Sequence, residues 1–357
     1  MLIYLMNQSP NVRRGFFTFT LILSTIAPAV LANTHLSLYV ALPSIVLGFI
    51  IAYLTYLLVN VKWDYQGLYG YSRSTHELLG YVFLVSWLIS YYLYVIYTAV
   101  YIPYYVLNLD GAVAVALSIM IGVIVVAALL TNPYYLFPVI ALLQLLLIIL
   151  PIGWRVTQGI TPPVPDLFTN ILSSSLLVVC ITLSTFIRGE GGYSRFIIYS
   201  MIIGGAALLY GSFLKPALLG AYASAVGNLG LILAEFLMIK NLLTSLRRGS
   251  LLRILIPASM VLIAVGNINY GAFYTTLIVP SLTLLYLSLF VSFTSVFRYF
   301  KSVLVRGLGA ITLGLFAYGD YSVLSVSRGY LLYEGVLSLI LGLLIGAALY
   351  LRGRWKT

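Results

Sequence analysis

Twelve apolar stretches, each close to the length of a membrane span, follow one another along the 357-residue chain. A transmembrane helix needs about 20 mostly apolar residues. The stretches are apolar on every side, whereas barrel strands alternate apolar and polar residues. The predicted spans are 15–32, 38–61, 80–106, 111–130, 134–152, 167–187, 196–213, 217–239, 251–268, 273–297, 303–319 and 330–351. The sequence therefore predicts an all-α polytopic membrane protein with about 12 transmembrane helices.

The composition excludes most soluble classes of protein. Hydrophobic residues make up 62% of the chain and charged residues 8%, against roughly 45–50% and 25% in soluble proteins. So few charges cannot cover a surface that faces water. The net charge of +11 comes from 19 Lys and Arg against 8 Asp and Glu, without a basic patch. We expect the lipid bilayer as a partner and no nucleic acid.

The charges of the loops predict an orientation. With the N-terminus inside, 16 of the 19 Lys and Arg lie on the cytoplasmic side, and only Arg155, Lys215 and Arg328 lie outside. Cytoplasmic loops of membrane proteins carry such an excess of positive residues. We therefore expect a multi-pass protein of the cell membrane with both termini in the cytoplasm.

The first span has a second interpretation. Arg13 and Arg14 followed by an apolar run and Val30–Ala32 also resemble a signal peptide that is cleaved after Ala32. Pro28 favours a retained helix over a cleaved one.

Catalytic and metal chemistry have few candidate residues. The chain has one cysteine, Cys180, and two histidines, His35 and His76, which the predicted topology places on opposite sides of the membrane. A bis-histidine haem or a cysteine-ligated metal site is therefore not expected, and no H-E-x-x-H motif is present. We expect no enzymatic activity, no catalytic residues, no cofactor and no metal site.

The first span contains the clearest signal of a binding site. Pro28 has no N–H group and cannot donate to the carbonyl of Ser24, so the helix is expected to break beside Ser24 and Thr25, near the middle of the bilayer. Broken helices at this depth are typical of transporter binding sites. The alternative is a simple proline kink whose free carbonyl bonds to a neighbouring helix.

Other polar residues in the spans are candidates for the same site, and each also has a structural interpretation, such as helix packing or interhelical hydrogen bonding. Gln144 in the fifth span is interpreted as an interhelical hydrogen-bonding residue. The candidates for substrate binding, besides Ser24, Thr25 and Pro28, are Ser173, Ser174 and Ser175 in the sixth span, Tyr97 in the third and Asn228 in the eighth.

Glu235 is a candidate for coupling to an ion. It follows Asn228 by seven residues and so lies on the same helical face. A carboxylate inside a membrane is costly and is a functional suspect by default. In the alternative interpretation Glu235 reaches the inner interface or pairs there near Lys240.

Two segments resemble the amino acid–polyamine–organocation permeases. Gln66–Tyr71 (QGLYGY) followed by Leu79–Tyr81 (LGY) and Trp87 is similar to the stretch that opens the third helix of that family, and Ser24–Pro28 (STIAP) is similar to the first helix of some members. The resemblance implies two five-helix repeats related by inversion, at 15–152 and 167–297, followed by two further helices at 303–351.

Two functions are compatible with these observations. The resemblance implies a secondary active transporter of amino acids or related organic cations, which works by alternating access with H⁺ or Na⁺ as coupling ion. The chain has no P-loop for ATP. The alternative is a non-catalytic hydrophobic subunit of a respiratory complex, such as the partner of an archaeal b-type cytochrome.

Overall fold

The computed structural model describes residues 10–131, 133–150, 154–156, 166–216 and 218–354. Nearly all of the described chain is helical, and the all-α class predicted from the sequence is confirmed. The α-helices are α1 (Pro10–Ile26), α2 (Pro28–Ala32), α3 (Leu38–Val61), α4 (Gly67–Thr75), α5 (Glu77–Tyr101), α6 (Gly111–Leu130), α7 (Leu136–Ile149), α8 (Leu167–Ser175), α9 (Arg195–Phe213), α10 (Leu218–Ser245), α11 (Leu252–Gly266), α12 (Tyr270–Phe293), α13 (Ser295–Tyr299), α14 (Val303–Val326) and α15 (Tyr330–Arg354).

The remaining elements are short or irregular. A π-helix, Ile102–Val106, continues α5, and a 3₁₀ helix, Leu176–Phe186, continues α8. Three shorter 3₁₀ turns are Pro133–Tyr135, Gly191–Tyr193 and Gly249–Leu251. Two short strands, β1 (Trp154–Val156) and β2 (Leu214–Pro216), pair antiparallel with Arg155 opposite Lys215. Most of the segment between α7 and α8, which contains β1, lies outside the described residues.

Eleven spans in the described part of the chain are long and apolar enough to cross a membrane, so the protein is a multi-pass membrane protein. The fifth predicted span corresponds to a shorter apolar helix, Pro133–Ile149. The eleventh span is longer than the sequence predicts, because α14 continues past residue 319 to Val326 and includes Asp320. The inverted repeats at 15–152 and 167–297, and the two added helices at 303–351, stay predictions.

The chain forms two compact units, each made of two separate segments. The first unit contains Met1–Asp64 and Val125–Leu237, and the second contains Tyr65–Ile124 and Met238–Thr357. In both units helices that are distant in sequence therefore pack together.

The first unit is built around α1. All six residues from Leu21 to Ile26 are 2% exposed or less, and α1 packs against α7, α9 and the 3₁₀ helix Leu176–Phe186. The helices approach closely at Gly211 on α9, where an added Cβ would overlap the carbonyl oxygen of Ala32. Small residues permit such close approach between membrane helices.

The second unit is built around α5 and α12. Ser90 donates its hydroxyl to the carbonyl of Ser281 at 2.7 Å, and Ser281 donates in return to the carbonyl of Ser90 at 2.9 Å. Helix α15 packs on both α5 and α12, and Gly346 lies against the main chain of Val82. Inside a membrane, lipid tails are as apolar as the side chains of a neighbouring helix, so burial of apolar surface does not favour helix association. Hydrogen bonds and close backbone packing hold the helices together instead.

Candidate functional site

The first span is broken at Ala27, between α1 and α2. Ala27 has φ 48° and ψ 65°, in the left-handed region that costs a residue with a side chain roughly 1–2 kcal/mol. The next residue, Pro28, has no N–H group and begins α2. The break that the sequence predicts is therefore present, and it is buried inside the first unit.

The hydroxyls beside the break bond to their own helix. Ser24 donates to the carbonyl of Thr20 at 2.9 Å, and Thr25 donates to the carbonyl of Ile22 at 2.7 Å. Such bonds satisfy the hydroxyl within the helix that carries it. Both oxygens keep the capacity to accept a further hydrogen bond.

Gln144 on α7 meets the break directly. Its Oε1 accepts a hydrogen bond from the backbone N–H of Ala29 at 3.4 Å, a donor that a continuous helix would direct to the carbonyl of Thr25. The side chain of Gln144 is completely buried. Its Nε2 has no hydrogen-bond partner among the described residues. The amide oxygen of Gln144 thus makes the predicted interhelical hydrogen bond, while its amide nitrogen is a donor without an acceptor in the described structure.

Helix α10 packs closely on the break through two glycines, Gly227 and Gly230. An added Cβ on Gly227 would lie 3.3 Å from Gln144 Oε1, and one on Gly230 would lie 3.6 Å from Ser24 Oγ. The missing side chains let α10 approach both α7 and the break. Ser24, Ala29, Gln144 and the two glycines therefore lie together, and we call this group the break cluster.

Asn228 lies between the two glycines and bonds within its own helix. Its Nδ2 donates to the carbonyl of Ser224 at 2.9 Å. The side chain is buried, and no hydrogen bond joins it to Ser24 or Gln144 in the described part of the chain. Its predicted role in binding stays a prediction.

The three serines of the sixth span lie at the end of α8, with Ser174 and Ser175 buried. Ser175 donates to the carbonyl of Leu172 at 2.6 Å. Helix α8 packs on α3, whereas the 3₁₀ helix that follows it packs on both α1 and α3. The part of the sixth span that contacts α1 includes this 3₁₀ helix, and the role predicted for Ser173, Ser174 and Ser175 stays a prediction.

Tyr97 belongs to the second unit. It is buried, and its ring lies 5.1 Å from that of Tyr94 and 5.5 Å from that of Tyr274. These rings are part of a tyrosine cluster on α5 and α12, which also includes Tyr101 and the π-helix residues Tyr104 and Tyr105. Its substrate-binding role stays a prediction.

Glu235 on α10 is completely buried in the first unit. Its Oε1 accepts a hydrogen bond from the thiol of Cys180, 3.9 Å away on the 3₁₀ helix. Its Oε2 has no partner within the ranges that the structure describes. Glu235 therefore lies in the interior of the first unit, and its coupling role and the alternative pairing near Lys240 both stay predictions.

Sequence reasoning underestimated two residues. Gln144 stands out as the amide of an otherwise apolar helix, but the sequence carries no sign that it contacts Ala29. Asp320 lies inside α14, and its Oδ1 is buried without a partner in the described regions. The predicted eleventh span ends at residue 319, so it leaves Asp320 out of the membrane.

No group of three or more His, Cys, Asp or Glu side chains within the described ranges is arranged to hold a metal ion.

Comparison with known proteins identifies no family. Neither a scan of protein-family models nor a search of curated proteins finds a match. Among solved structures, the chain is similar to a manganese transporter from Eremococcus coleocola, crystallised in complex with an aromatic bis-isothiourea substituted compound. The TM-score is 0.49 at 12% sequence identity, over 96% of this chain and 94% of that one.

Proposed function

We propose that the protein is a secondary active transporter that carries amino acids or related organic cations by alternating access around the break cluster. The observation that carries this proposal is the buried left-handed break at Ala27, with Ala29 N–H and Gln144 Nε2 beside it. Discontinuous helices near the bilayer midplane commonly form the binding sites of secondary transporters.

The chemistry of the break cluster fits an amino acid. Ala29 N–H and Gln144 Nε2 are donors for a carboxylate, and a charged acceptor strengthens such bonds. The Ser24 carbonyl, which Pro28 cannot bond, and the hydroxyl oxygens of Ser24 and Thr25 are acceptors for an ammonium group. A zwitterionic solute would therefore use both sets of groups.

Competition at Ala29 provides a way to open the site. In this structure Gln144 Oε1 takes the Ala29 N–H. A substrate carboxylate that replaces it would free the Gln144 amide to turn and donate through Nε2. Binding would thus exchange one hydrogen bond inside the protein for two or more to the substrate. The energy for uphill transport would come from an ion gradient.

Replacing Pro28 by Ala tests the proposal. An alanine at this position can donate to the carbonyl of Ser24 and let α1 continue into α2. The straight helix would be stabilised by a new hydrogen bond of about 0.5–1.5 kcal/mol. It would also avoid the left-handed conformation of Ala27, which costs about 1–2 kcal/mol. We therefore expect uptake of the transported solute into proteoliposomes to show a roughly 10- to 100-fold weaker affinity.

Pro43→Ala is the matched control, because Pro43 also lies in the first unit but inside a continuous helix, α3. It should leave uptake within about two-fold. Unchanged kinetics in Pro28→Ala would refute the site. If the unmutated protein takes up none of a panel of amino acids and amines, the transport proposal is wrong, and a cytochrome that co-purifies in mild detergent would support the subunit alternative.

A further inference from the structure

The contact between α10 and the 3₁₀ helix Leu176–Phe186 contains an ionisable pair that the break cluster does not use. Glu235 is completely buried, one carboxyl oxygen faces the thiol of Cys180, and the other has no partner in the described structure. No ion pair joins Glu235 to any described cation. A buried carboxylate without a cation is unstable in an apolar interior.

We infer that Glu235 is the proton-binding site of the transporter, with H⁺ rather than Na⁺ as the coupling ion. The proton binds at Oε2, forms an O–H bond and leaves the carboxyl group neutral, while Oε1 stays beside the Cys180 thiol. The inference rests on the proposed function only for the coupling, because the protonation itself needs no substrate.

The surroundings of Glu235 do not suit a sodium ion. Transporters commonly hold Na⁺ with carbonyls of unwound helix, but α10 is a continuous helix from Leu218 to Ser245. On the 3₁₀ helix, hydroxyls bond to the carbonyls on either side of Cys180: the Thr182 hydroxyl donates to the Val179 carbonyl, and the Ser184 hydroxyl donates to the Ile181 carbonyl. The thiol is a soft ligand that a hard cation does not favour. A proton needs only the carboxyl oxygen.

Other ionisable groups near α10 do not neutralise Glu235. The elements that contact the part of α10 around Gly227–Glu235 include α1, α2, α7, α9 and the 3₁₀ helix. Arg14 pairs with Glu190, and Arg13 donates to Tyr135. The ionisable side chains on these elements and on α10 itself, besides Glu235, are Arg13, Arg14, Cys180, Arg195, Tyr199, Tyr210, Tyr222 and Lys240; of these, Cys180 contacts the Glu235 carboxyl.

Two elements connect Glu235 to the break cluster. Helix α10 carries both Gly230 and Glu235, about 7 Å apart along its axis. The 3₁₀ helix carries Cys180 and packs on α1. Runs of 3₁₀ helix longer than three or four residues are uncommon and often mark a hinge, and this one has 11 residues. Its conversion to α-helix would shorten it by about 5 Å.

Protonation of Glu235 would act on this hinge through Cys180. A charged carboxylate is a strong acceptor for the thiol, and a neutral acid is a weaker one. When Glu235 loses its proton, the charged carboxylate would hold Cys180 and the 3₁₀ helix against α10. When Glu235 binds a proton, this hydrogen bond would weaken and the 3₁₀ helix would be released. This makes the movement of α1 beside the 3₁₀ helix depend on the proton.

An infrared titration of the purified protein in lipid tests the site. The carbonyl stretching band of protonated carboxylic acids separates Glu235 from ionised carboxylates. Asp320 is a second carboxyl with a buried, unpartnered oxygen in the described structure, so the titration is carried out on Asp320→Asn. In this background we expect one such band to appear and disappear with pH, to be lost on adding Glu235→Gln and to shift on adding Glu235→Asp. Glu190→Gln, which alters an exposed carboxyl, should keep the band. The proposal is overturned if the band survives Glu235→Gln, or if Glu235 keeps one protonation state over the whole pH range in which the protein stays folded.

Reaction of the only cysteine reports on the hinge. We expect the rate at which N-ethylmaleimide labels Cys180 to change over the same pH interval as the infrared band, and this change to be lost in Glu235→Gln.

In proteoliposomes that contain a pH indicator dye, addition of a transported amino acid should acidify the lumen without Na⁺, and Glu235→Gln should abolish the acidification. Proton entry that persists in Glu235→Gln, or that requires Na⁺, would overturn the coupling. A titrating band without any uptake would instead show that the transport proposal is wrong while the proton site is correct.

Discussion

The left-handed conformation of Ala27 predicts an unusual response to glycine. In the interior of a helix, Ala→Gly costs about 1 kcal/mol, and loss of a buried methyl group costs about 0.8 kcal/mol more. Ala52 lies in the middle of α3 and is fully buried, so Ala52→Gly should lower the free energy of unfolding by about 1.8 kcal/mol. Ala27 is equally buried, but glycine there relieves a left-handed cost of about 1–2 kcal/mol.

Comparison of the two variants isolates the backbone conformation. Both lose one buried methyl group, and both gain the same freedom in the unfolded chain. Ala27→Gly should therefore be more stable than Ala52→Gly by about 1–2 kcal/mol. Unfolding by denaturing detergent in mixed micelles, followed by tryptophan fluorescence, measures both values. Equal losses in the two variants would show that Ala27 is helical, and the reasoning about the break would then fail.

Three further predictions concern other parts of the structure. Gln144→Leu leaves the buried Ala29 N–H without its acceptor but also removes the unpaired Nε2; each unsatisfied buried group costs about 1–3 kcal/mol, so the free energy of unfolding should change by less than about 1 kcal/mol in the same titration, and a loss of about 3 kcal/mol would contradict this. The pair of Arg14 and Glu190 is partly exposed, so a double-mutant cycle with Arg14→Gln and Glu190→Gln should give a coupling below about 1 kcal/mol, and a larger value would disprove it. A cysteine at Gly249, where an added Cβ meets only Thr244 Oγ1 at 3.9 Å, should be inaccessible to impermeant reagents outside intact cells once the native cysteine is replaced; external labelling would reverse the predicted orientation.

The sequence predicts the spans well because each depends on local composition. Length and hydropathy are sufficient to recognise helices such as α3 and α6. Pro28 predicts a free carbonyl at Ser24 by an equally local argument, because proline has no N–H to donate. Pro43 lies inside α3, which continues through it, so the full break at Ala27 also depends on tertiary contacts. The predicted eleventh span is too short, because Asp320 interrupts the apolar stretch whereas the helix continues to Val326. One oxygen of this carboxyl is buried against the protein, and local hydropathy does not show such a tertiary contact.

Tertiary contacts account for what the sequence does not predict. Nothing in the sixth span signals a 3₁₀ helix of 11 residues, since it contains no Gly or Pro between Leu167 and Phe186. The helix is accompanied by contacts from distant residues: Trp63 donates its indole N–H to the carbonyl of Ser184 at 2.9 Å, and Cys180 bonds to Glu235. Side chains of Thr182 and Ser184 that donate to carbonyls three residues earlier also fit the tighter turn.

Polar content alone is therefore a weak guide to function in this chain. Ser24, Thr25 and Ser175 satisfy their hydroxyls within their own helices, which makes them compatible with lipid or protein surroundings alike. Gln144 and Glu235 differ, because each has one atom bonded and one atom buried without a partner among the described residues. A buried polar atom without a partner destabilises the fold. A second conformation or a bound solute or proton that satisfies the atom would offset that cost, and this is the physical reason for placing the substrate beside Gln144 and the proton on Glu235.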